Sequence, residues 1–520
     1  MLNSSLQMVK EFEQVIISGG DHRTIVSEAS NHNVYGCAPS PISALHYSSS
    51  TASNVTFGAF NFARDIYQRI IDQREDIIEF VERENQITRD SIRSLFGLPD
   101  NVDIVLCPSG TDTELLAITI IANVTSKKIN SILLAPQEVG SGVENAASGR
   151  APSDITPFGN KIEKGSLIEG FEKINLQVSP IDIRELTGEG ELKDRVHDKI
   201  LKLLHSNLLN NCHTLLHMVY RSKTGAVAPS VEFVRSIRCL YRRDVDVVVD
   251  ACQMRMKLEL LRELLSMGCM VIITGSKFFT GAPFSSALLV PNNLRDIMNE
   301  NAFVPKGIKE YISQYDIPIR WKSRYKFNKM RFNIGLLLRW KTALYEMTRY
   351  FAIQEQRIEQ IVSVFSELLA QIINKYENLD LMEVDYVCST MVYDSNYYQD
   401  TIKTINIRSE SGWICYEDAK VVYEAMRIDL SSLSVMSEED RSVLSKICYI
   451  GQPVKIYRDT NRGWIGSLRI ALGAAQISSL AGEVKEKQQR SLKNDINILL
   501  QKMSIIARHI EECSLICCND

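Results

Sequence analysis

Between Asn101 and Pro291 the chain repeats one pattern: a short, β-branched apolar run that stops at Gly, Ser or Pro and is often followed by helical spacing. The runs are Ile104 to Cys107, Ile132 to Ala135, Leu215 to Tyr220, Val245 to Val249, Val271 to Thr274 and Ala287 to Val290. Strands this apolar are buried on both faces, which requires helices above and below them. The pattern therefore predicts an α/β domain with a mostly parallel sheet. In open sheets of this kind ligands bind outside the C-terminal ends of the strands.

From Trp340 to Tyr376 the period changes. Leu344, Met347, Phe351, Ile358, Ile361, Val362, Phe365, Leu368, Leu369 and Ile372 recur at helical spacing and predict one long helix leaving the first domain. Beyond it come an alternating strand pattern at Thr401 to Arg408, a helix near Tyr416 to Met426 and a final amphipathic helix around Val484 to Ile510. These describe a smaller α+β domain.

A chain of 520 residues with 45% hydrophobic and 23% charged residues has material for a large core and for more than one domain. Its net charge of −4 and pI near 6.2 provide no global attraction for nucleic acid or anionic lipid, so neither is an expected partner. Twelve cysteines scattered from Cys37 to Cys518 lack the spacing of a disulfide scaffold and suit a reducing cytosol. The stretch Met1 to Gly20 carries Lys10, Glu11 and Glu13 and has no apolar signal core, and no apolar run approaches a membrane span. A soluble, cytoplasmic protein is expected.

Three polar features stand where strands should end. Cys107-Pro-Ser-Gly-Thr-Asp-Thr-Glu114 turns into the apolar helical stretch Leu115 to Ala122. Gly110 permits close backbone approach, and the N–H groups of Thr111 and Asp112 at a helix N-terminus favour an anion, which makes a candidate phosphate cup. An ordinary capping box has the same appearance. Asp250 closes the apolar strand in Val247-Val-Val-Asp-Ala-Cys-Gln253. A carboxylate there needs a cation or several donors to stay charged, unless it only caps a helix. Lys277, in Val271-Ile-Ile-Thr-Gly-Ser-Lys-Phe-Phe279, follows an apolar strand and precedes two phenylalanines. Lysine is rare in such surroundings unless paired or reactive, although a snorkelling surface lysine is the alternative.

The order Ser-Gly-Thr at 109 to 111, Asp-Ala-x-Gln at 250 to 253 and Ser-Lys at 276 and 277 resembles the fold-type I pyridoxal-phosphate (PLP) enzymes. The resemblance is strongest to the class V aminotransferase and cysteine desulfurase-like group, and it runs from about Tyr47 to Ala474. It implies a fold-type I PLP-dependent transferase architecture: a large domain with a mostly parallel sheet flanked by helices, plus a smaller α+β C-terminal domain. On this division residues 1–55 form an N-terminal segment packing on the small domain and the active-site mouth, 56–340 the large PLP-binding domain and 341–520 the small domain.

The resemblance also implies roles. Pyridoxal 5'-phosphate is carried as a Schiff base on Lys277, Asp250 pairs with the pyridine nitrogen and keeps the ring an electron sink, and Gln253 reaches the phenolic oxygen. Gly110, Thr111, Asp112 and Ser276 form the phosphate-holding set. In Tyr220-Arg-Ser222-Lys-Thr-Gly225, Ser222 takes the place where the family has an Asn facing cofactor or substrate. His46-Tyr-Ser-Ser-Ser-Thr-Ala-Ser53 resembles the small-residue segment at the substrate mouth, which makes Ser49, Ser50 and Thr51 substrate-side residues. Gly466-Ser-Leu-Arg469-Ile-Ala-Leu-Gly473 resembles the segment whose Arg clamps a substrate carboxylate, a task that suits a planar guanidinium. A structural ion pair is the other reading of Arg469. No metal site is expected.

The pattern breaks at two places. The desulfurase branch has a His stacked on the ring, and the matching stretch Ala135-Pro-Gln-Glu138-Val139 holds Val139 there. Desulfurases also need a nucleophilic Cys on a loop ahead of the clamping Arg. In Ile447-Cys448-Tyr-Ile450-Gly-Gln-Pro453 the equivalent is Ile450, with Cys448 near enough for a loop shift to present it. Lys277 is then the remaining mobile acid and base, which suffices for transamination and also serves elimination, racemisation or decarboxylation. Aminotransferase-type chemistry on an amino acid or amine substrate comes first, a lyase or desulfurase-like enzyme second and a non-catalytic scaffold third.

From Lys306 to Arg331 eight basic residues (Lys306, Lys309, Arg320, Lys322, Arg324, Lys326, Lys329, Arg331) face two acids, Glu310 and Asp316, with aromatic residues between them. The stretch reads as a nucleic-acid strip, as a solvated face, or, by the resemblance, as the lining of a homodimer interface in which Arg331 and Asn333 reach the partner's cofactor.

Overall fold

The computed structural model describes residues 2–28, 30–72, 76–183, 192–298, 301–322, 331–382, 397–409, 412–433 and 437–517. Among the described residues fourteen strands form two sheets. The first strand, β1 (Leu45–Tyr47), belongs to the smaller one.

The larger sheet takes the next eight strands: β2 (Asp103–Cys107), β3 (Ile129–Leu134), β4 (Leu176–Ile181), β5 (His213–Tyr220), β6 (Val227–Ala228), β7 (Val245–Asp250), β8 (Met270–Thr274) and β9 (Ser286–Val290). Their order is β2-β9-β8-β7-β5-β3-β4, with β6 added to β5. The run β8-β7-β5-β3-β4 is parallel, and β9 is antiparallel to both β8 and β2. Each apolar run of the sequence falls on one of these strands, with only Ala135 lying past the end of β3. The pleat explains why they need to be apolar throughout: Val247, Val249, Val271 and Ile273 enter the core on one face, and Val248, Met270 and Ile272 the core on the other. Register aligns the strand ends, with Val219 opposite Asp250 and Asp250 opposite Ile272. The residues that follow β5, β7 and β8 therefore emerge side by side.

The smaller sheet runs β1-β13-β14-β11-β10, with β12 beside β11. Its strands after β1 are β10 (Leu379–Leu381), β11 (Ile402–Ser409), β12 (Gly412–Trp413), β13 (Cys448–Asp459) and β14 (Gly463–Ala471). Only β1, contributed by the N-terminal segment, pairs in parallel, in the register Tyr47 to Ile450. This pairing delivers Ser48 to Thr51 beside the end of β14, where Ser48 bridges to Ala471.

The single helix expected from Trp340 to Tyr376 is two, Ile334–Phe351 and Glu355–Ile373. Nothing in Ala352-Ile353-Gln354 breaks a helix intrinsically. The two halves share the helix Ala474–Ala481 but otherwise differ in partners: the first packs on the helices Phe57–Ile71 and Ile77–Phe96, the second on Lys485–Arg508. Packing forces the turn.

The helix Leu2–Ile17 lies on Ile334–Phe351. Arg339, 1% exposed, pins its C-terminal end by donating to Ile16 O at 2.8 Å, Gly19 O at 3.0 Å and also Ser18 O, and to Phe284 O at 2.8 Å.

Of the basic stretch, Arg324, Lys326 and Lys329 lie outside the described residues. Lys306 pairs with Glu169 at 2.6 Å, Lys322 with Glu82 at 2.5 Å, Arg331 with Glu310 at 2.7 Å, and Arg320 with Asp103. These side chains are tied to acids of their own chain. Among the described residues no helix is long and apolar enough to cross a membrane, and no group of His, Cys, Asp or Glu is arranged to hold a metal ion.

Candidate active site

A cavity of about 400 Å³ opens at the aligned ends of β5, β7 and β8. Asp250 and Lys277 share its wall because their strands are neighbours. Asp250 Oδ1 accepts the Cys252 N–H at 3.0 Å. Lys277 follows β8 in a tight turn closed by Thr280 N–H to Lys277 O at 2.9 Å, and forms no ion pair among the described residues.

One wall is the turn into the helix Gly110–Val124. Ser109 caps it, accepting from Asp112 N at 3.2 Å and donating to Asp112 Oδ2 at 2.7 Å. Gly110 and Thr111 face the cavity together with Ser276. A Cβ on Gly110 would strike Cys252 Sγ, so close packing on the strand end below requires the glycine. Arg23 reaches the same place from the N-terminal segment: it pairs with Asp21 at 2.6 Å, donates to Ser109 Oγ at 3.3 Å and lies over the Phe284 ring at 4.8 Å.

The opposite wall holds Arg469 of β14, 1% exposed. Its guanidinium donates to Gln452 O at 3.1 Å, Lys223 O at 3.1 Å, Thr51 Oγ1 at 3.0 Å and Ser50 O at 3.5 Å. All these acceptors are neutral, and no carboxylate pairs with it among the described residues. Burial pulls its pKa down to about 10, against the opposing effect of Tyr423 and Glu138, so it is still cationic at neutral pH. The structural ion pair is therefore not what Arg469 forms. Ser50 Oγ, fully buried at this wall, has no hydrogen-bond partner among the described residues.

Between the walls runs the loop after β5. Glu138, 3% exposed, accepts from Ser222 Oγ and Thr224 Oγ1, each at 2.5 Å, and its backbone O accepts the Lys223 N–H at 3.1 Å. Arg221 at φ 64° and Gly225 at φ 99° bend the loop back onto Glu138. Lys223, flanked by the two clamped hydroxyls, lines the cavity. Its amine is lowered to about 7 by burial, then by Arg469 and Lys277, with Glu138 and Asp250 opposing.

The structure brings Lys277, Asp250, Gly110, Thr111, Ser276, Ser222, Val139, Gln253, Ser50, Thr51 and Arg469 to one cavity. Three expected residues stand off it. The Asp112 N–H is spent on the Ser109 cap, and burial followed by the nearby Asp21 raises its carboxyl well above the ordinary range. Ser49 Oγ faces Ala471 O at 3.1 Å and Arg255 Nη2 at 2.7 Å. Asn333 caps its helix by accepting from Leu336 N at 2.9 Å and donates to Gly19 O at 2.8 Å, so its amide serves its own chain. Gln253 lines the cavity but is held: Nε2 donates to Ser50 O at 2.9 Å and Oε1 accepts from Arg255 at 2.9 Å. Cys448 lies within β13, paired on one side to β1, at 0% exposure, with burial raising its thiol to about 11.

Arg23, Glu138, Lys223 and Cys252 are cavity residues that the sequence reading did not assign to it. Lys223 carried a weaker form of the signal at Lys277, a lysine three residues past a buried strand that itself contains His213, Thr214 and His217. Arg23 carried none, because its position depends on how the N-terminal segment folds back.

No protein-family model matches the chain, and no curated protein matches it. Solved structures do. A mutant of C-DES with glycine covalently linked to its PLP cofactor aligns with TM-score 0.53 at 12% identity, over 87% of this chain and 96% of that one. The cystine C–S lyase C-DES in complex with its reaction product, cysteine persulfide, aligns with TM-score 0.51 at 13% identity, over 87% and 97%. At these identities the likeness is one of fold: the chain has the α/β architecture of the fold-type I PLP-dependent enzymes.

The cavity's donor set fits PLP. It has an amine without an ion pair, a carboxylate on the neighbouring strand, a helix N-terminus with Gly110 and Thr111, and the Ser276 hydroxyl.

Proposed function

We propose that this chain is a PLP-dependent enzyme acting at Cα of an amino acid or amine, with aminotransferase-type chemistry ahead of a lyase reaction. One observation carries the reading: Lys277 and Asp250 share a cavity at the ends of adjacent parallel strands, across from Arg469, a buried guanidinium with no carboxylate of its own among the described residues. When bound, PLP supplies an electron sink for charge developing at Cα. Lys277 Nζ holds the cofactor covalently, and Asp250 balances the ring nitrogen. The Gly110–Thr111 turn and Ser276 receive the phosphate at the positive end of a helix. Arg469 takes the substrate carboxylate in a bidentate pair, with the Ser50 hydroxyl as a further donor beside it. Val139 lines the cavity where a ring base would stand and offers no group that could move a proton. The amine of Lys277, once displaced, is then the base that removes the Cα proton and returns it.

Purified protein given PLP should show a visible-edge absorbance band that borohydride fixes as a mass adduct on the Lys277 peptide, and Lys277→Ala should show neither. A colourless protein that takes up no PLP overturns the reading and leaves the scaffold alternative. The second reading is a C–S lyase, as is the cystine C–S lyase C-DES that shares this fold. Cystine turned over to cysteine persulfide, pyruvate and ammonia supports it. Retention of the amino group by the protein, with release of an oxo acid, supports transamination. The buried Cys448 speaks against a desulfurase that uses it. We also propose a cytoplasmic homodimer, for which light scattering should return twice the 58.9 kDa chain mass.

A further inference from the structure

The cavity wall carries more positive charge than cofactor binding and carboxylate binding use. Arg23, Arg221, Lys223, Lys277 and Arg469 line it against two carboxylates, Glu138 and Asp250. Arg23 pairs with Asp21. In the reading above Lys277 and Asp250 belong to the cofactor and Arg469 to the α-carboxylate. Glu138 directs one carboxylate oxygen to two hydroxyls of the loop that carries Lys223. The Lys223 ammonium forms no ion pair or hydrogen bond among the described residues, while its backbone O is held by Arg469 at 3.1 Å. Lys223 is half-buried, and a cation partly withdrawn from water without a partner is costly unless a ligand supplies one.

We propose that the site takes amino acids whose side chain ends in a second anionic group, carboxylate or phosphate, with Arg469 holding the α-carboxylate and Lys223 the side-chain anion. The proposal deepens the functional reading and rests on it for the α-amino acid itself. Around Lys223 stand Arg469 from β14, Lys277 after β8, Glu138 after β3 and Asp250 at the end of β7. Burial and then the cations lower the amine to about 7, so that about half of it is neutral at pH 7 in the empty site, and an arriving anion draws a proton onto it.

Calorimetry on the full-length protein supplied with PLP tests this with acids that carry no amino group and cannot react: succinate and 3-phosphonopropionate against butyrate. At about pH 6.5, one or both diacids should bind about tenfold or more tightly than butyrate, and the better of the two identifies the side-chain anion. The advantage should shrink as pH rises above about 8. Lys223→Gln should reduce it to about twofold or less, and Lys223→Arg should keep most of it, which separates charge from folding damage. Equal binding of the three acids, binding of none, or an advantage that survives Lys223→Gln overturns the proposal. A protein that takes up no PLP yet prefers a diacid overturns the cofactor reading alone. A coloured protein without the preference overturns only this one.

Discussion

At the scale of single residues the site rests on close contacts that tolerate little. Gly110 sits where a methyl would strike Cys252 Sγ, at the turn offered to the phosphate. Gly110→Ala should therefore cost about 1–3 kcal/mol in chemical denaturation and weaken PLP uptake, and adding Cys252→Ala should restore much of both. Gly451 plays a similar part on the other wall, since a Cβ there would meet Ser50 Oγ and Arg469 Cβ. Arg469 itself serves neutral acceptors from Ser50, Thr51, Lys223 and Gln452. Arg469→Lys keeps the charge but loses the fork, and should weaken carboxylate binding by about 1.5–3 kcal/mol in spectral titration with little change in the cofactor band.

At the scale of elements, β7 is fastened at its start by a buried charge cluster that keeps Asp250 in register at its end. Arg238 pairs with Asp246 at 3.1 Å and His213 Nε2 lies 3.0 Å from the same carboxylate, all three 5% exposed or less. Removing one member of a buried pair leaves the others uncompensated, so Asp246→Ala should destabilise by about 3–5 kcal/mol in urea denaturation. The loop after β5 depends similarly on Glu138. The long helical pattern was legible in the sequence, whereas its break at residues 352 to 354 was not, because Ala-Ile-Gln favours continuation and only the change of packing partners ends it.

At the scale of the molecule, the N-terminal segment joins the two sheets: Arg339 pins one part of it to the larger core, β1 enters the smaller sheet, and Arg23 stands at the cavity between. Arg339→Met should speed proteolytic cleavage before about residue 20 and lower PLP affinity, because it leaves several backbone carbonyls without their donor. Lys502 offers a pH test of the smaller unit's core. It is 0% exposed, donates to Ile428 O and Lys446 O, and burial lowers its pKa to about 8. Between about pH 8 and about 10.5 the unfolded chain holds a proton at this site that the native protein has released, so this contribution to stability rises with pH across that window. Lys502→Met should remove the rise, as read from denaturation midpoints.

The sequence by itself determined the parallel sheet, the ends of its strands and the residues Gly110, Asp250 and Lys277 that stand there, because burial on both faces and position at a strand end are written in local composition. It carried Val139 and Arg469 through resemblance to a known family pattern. Only the tertiary structure decided that Ser49, Asp112 and Asn333 are spent on their own chain and that Cys448 is held within a strand. It alone added Arg23, Glu138 and Lys223 to the cavity. Each of these outcomes depends on which distant backbone or charge a side chain meets, and no local pattern specifies such a meeting.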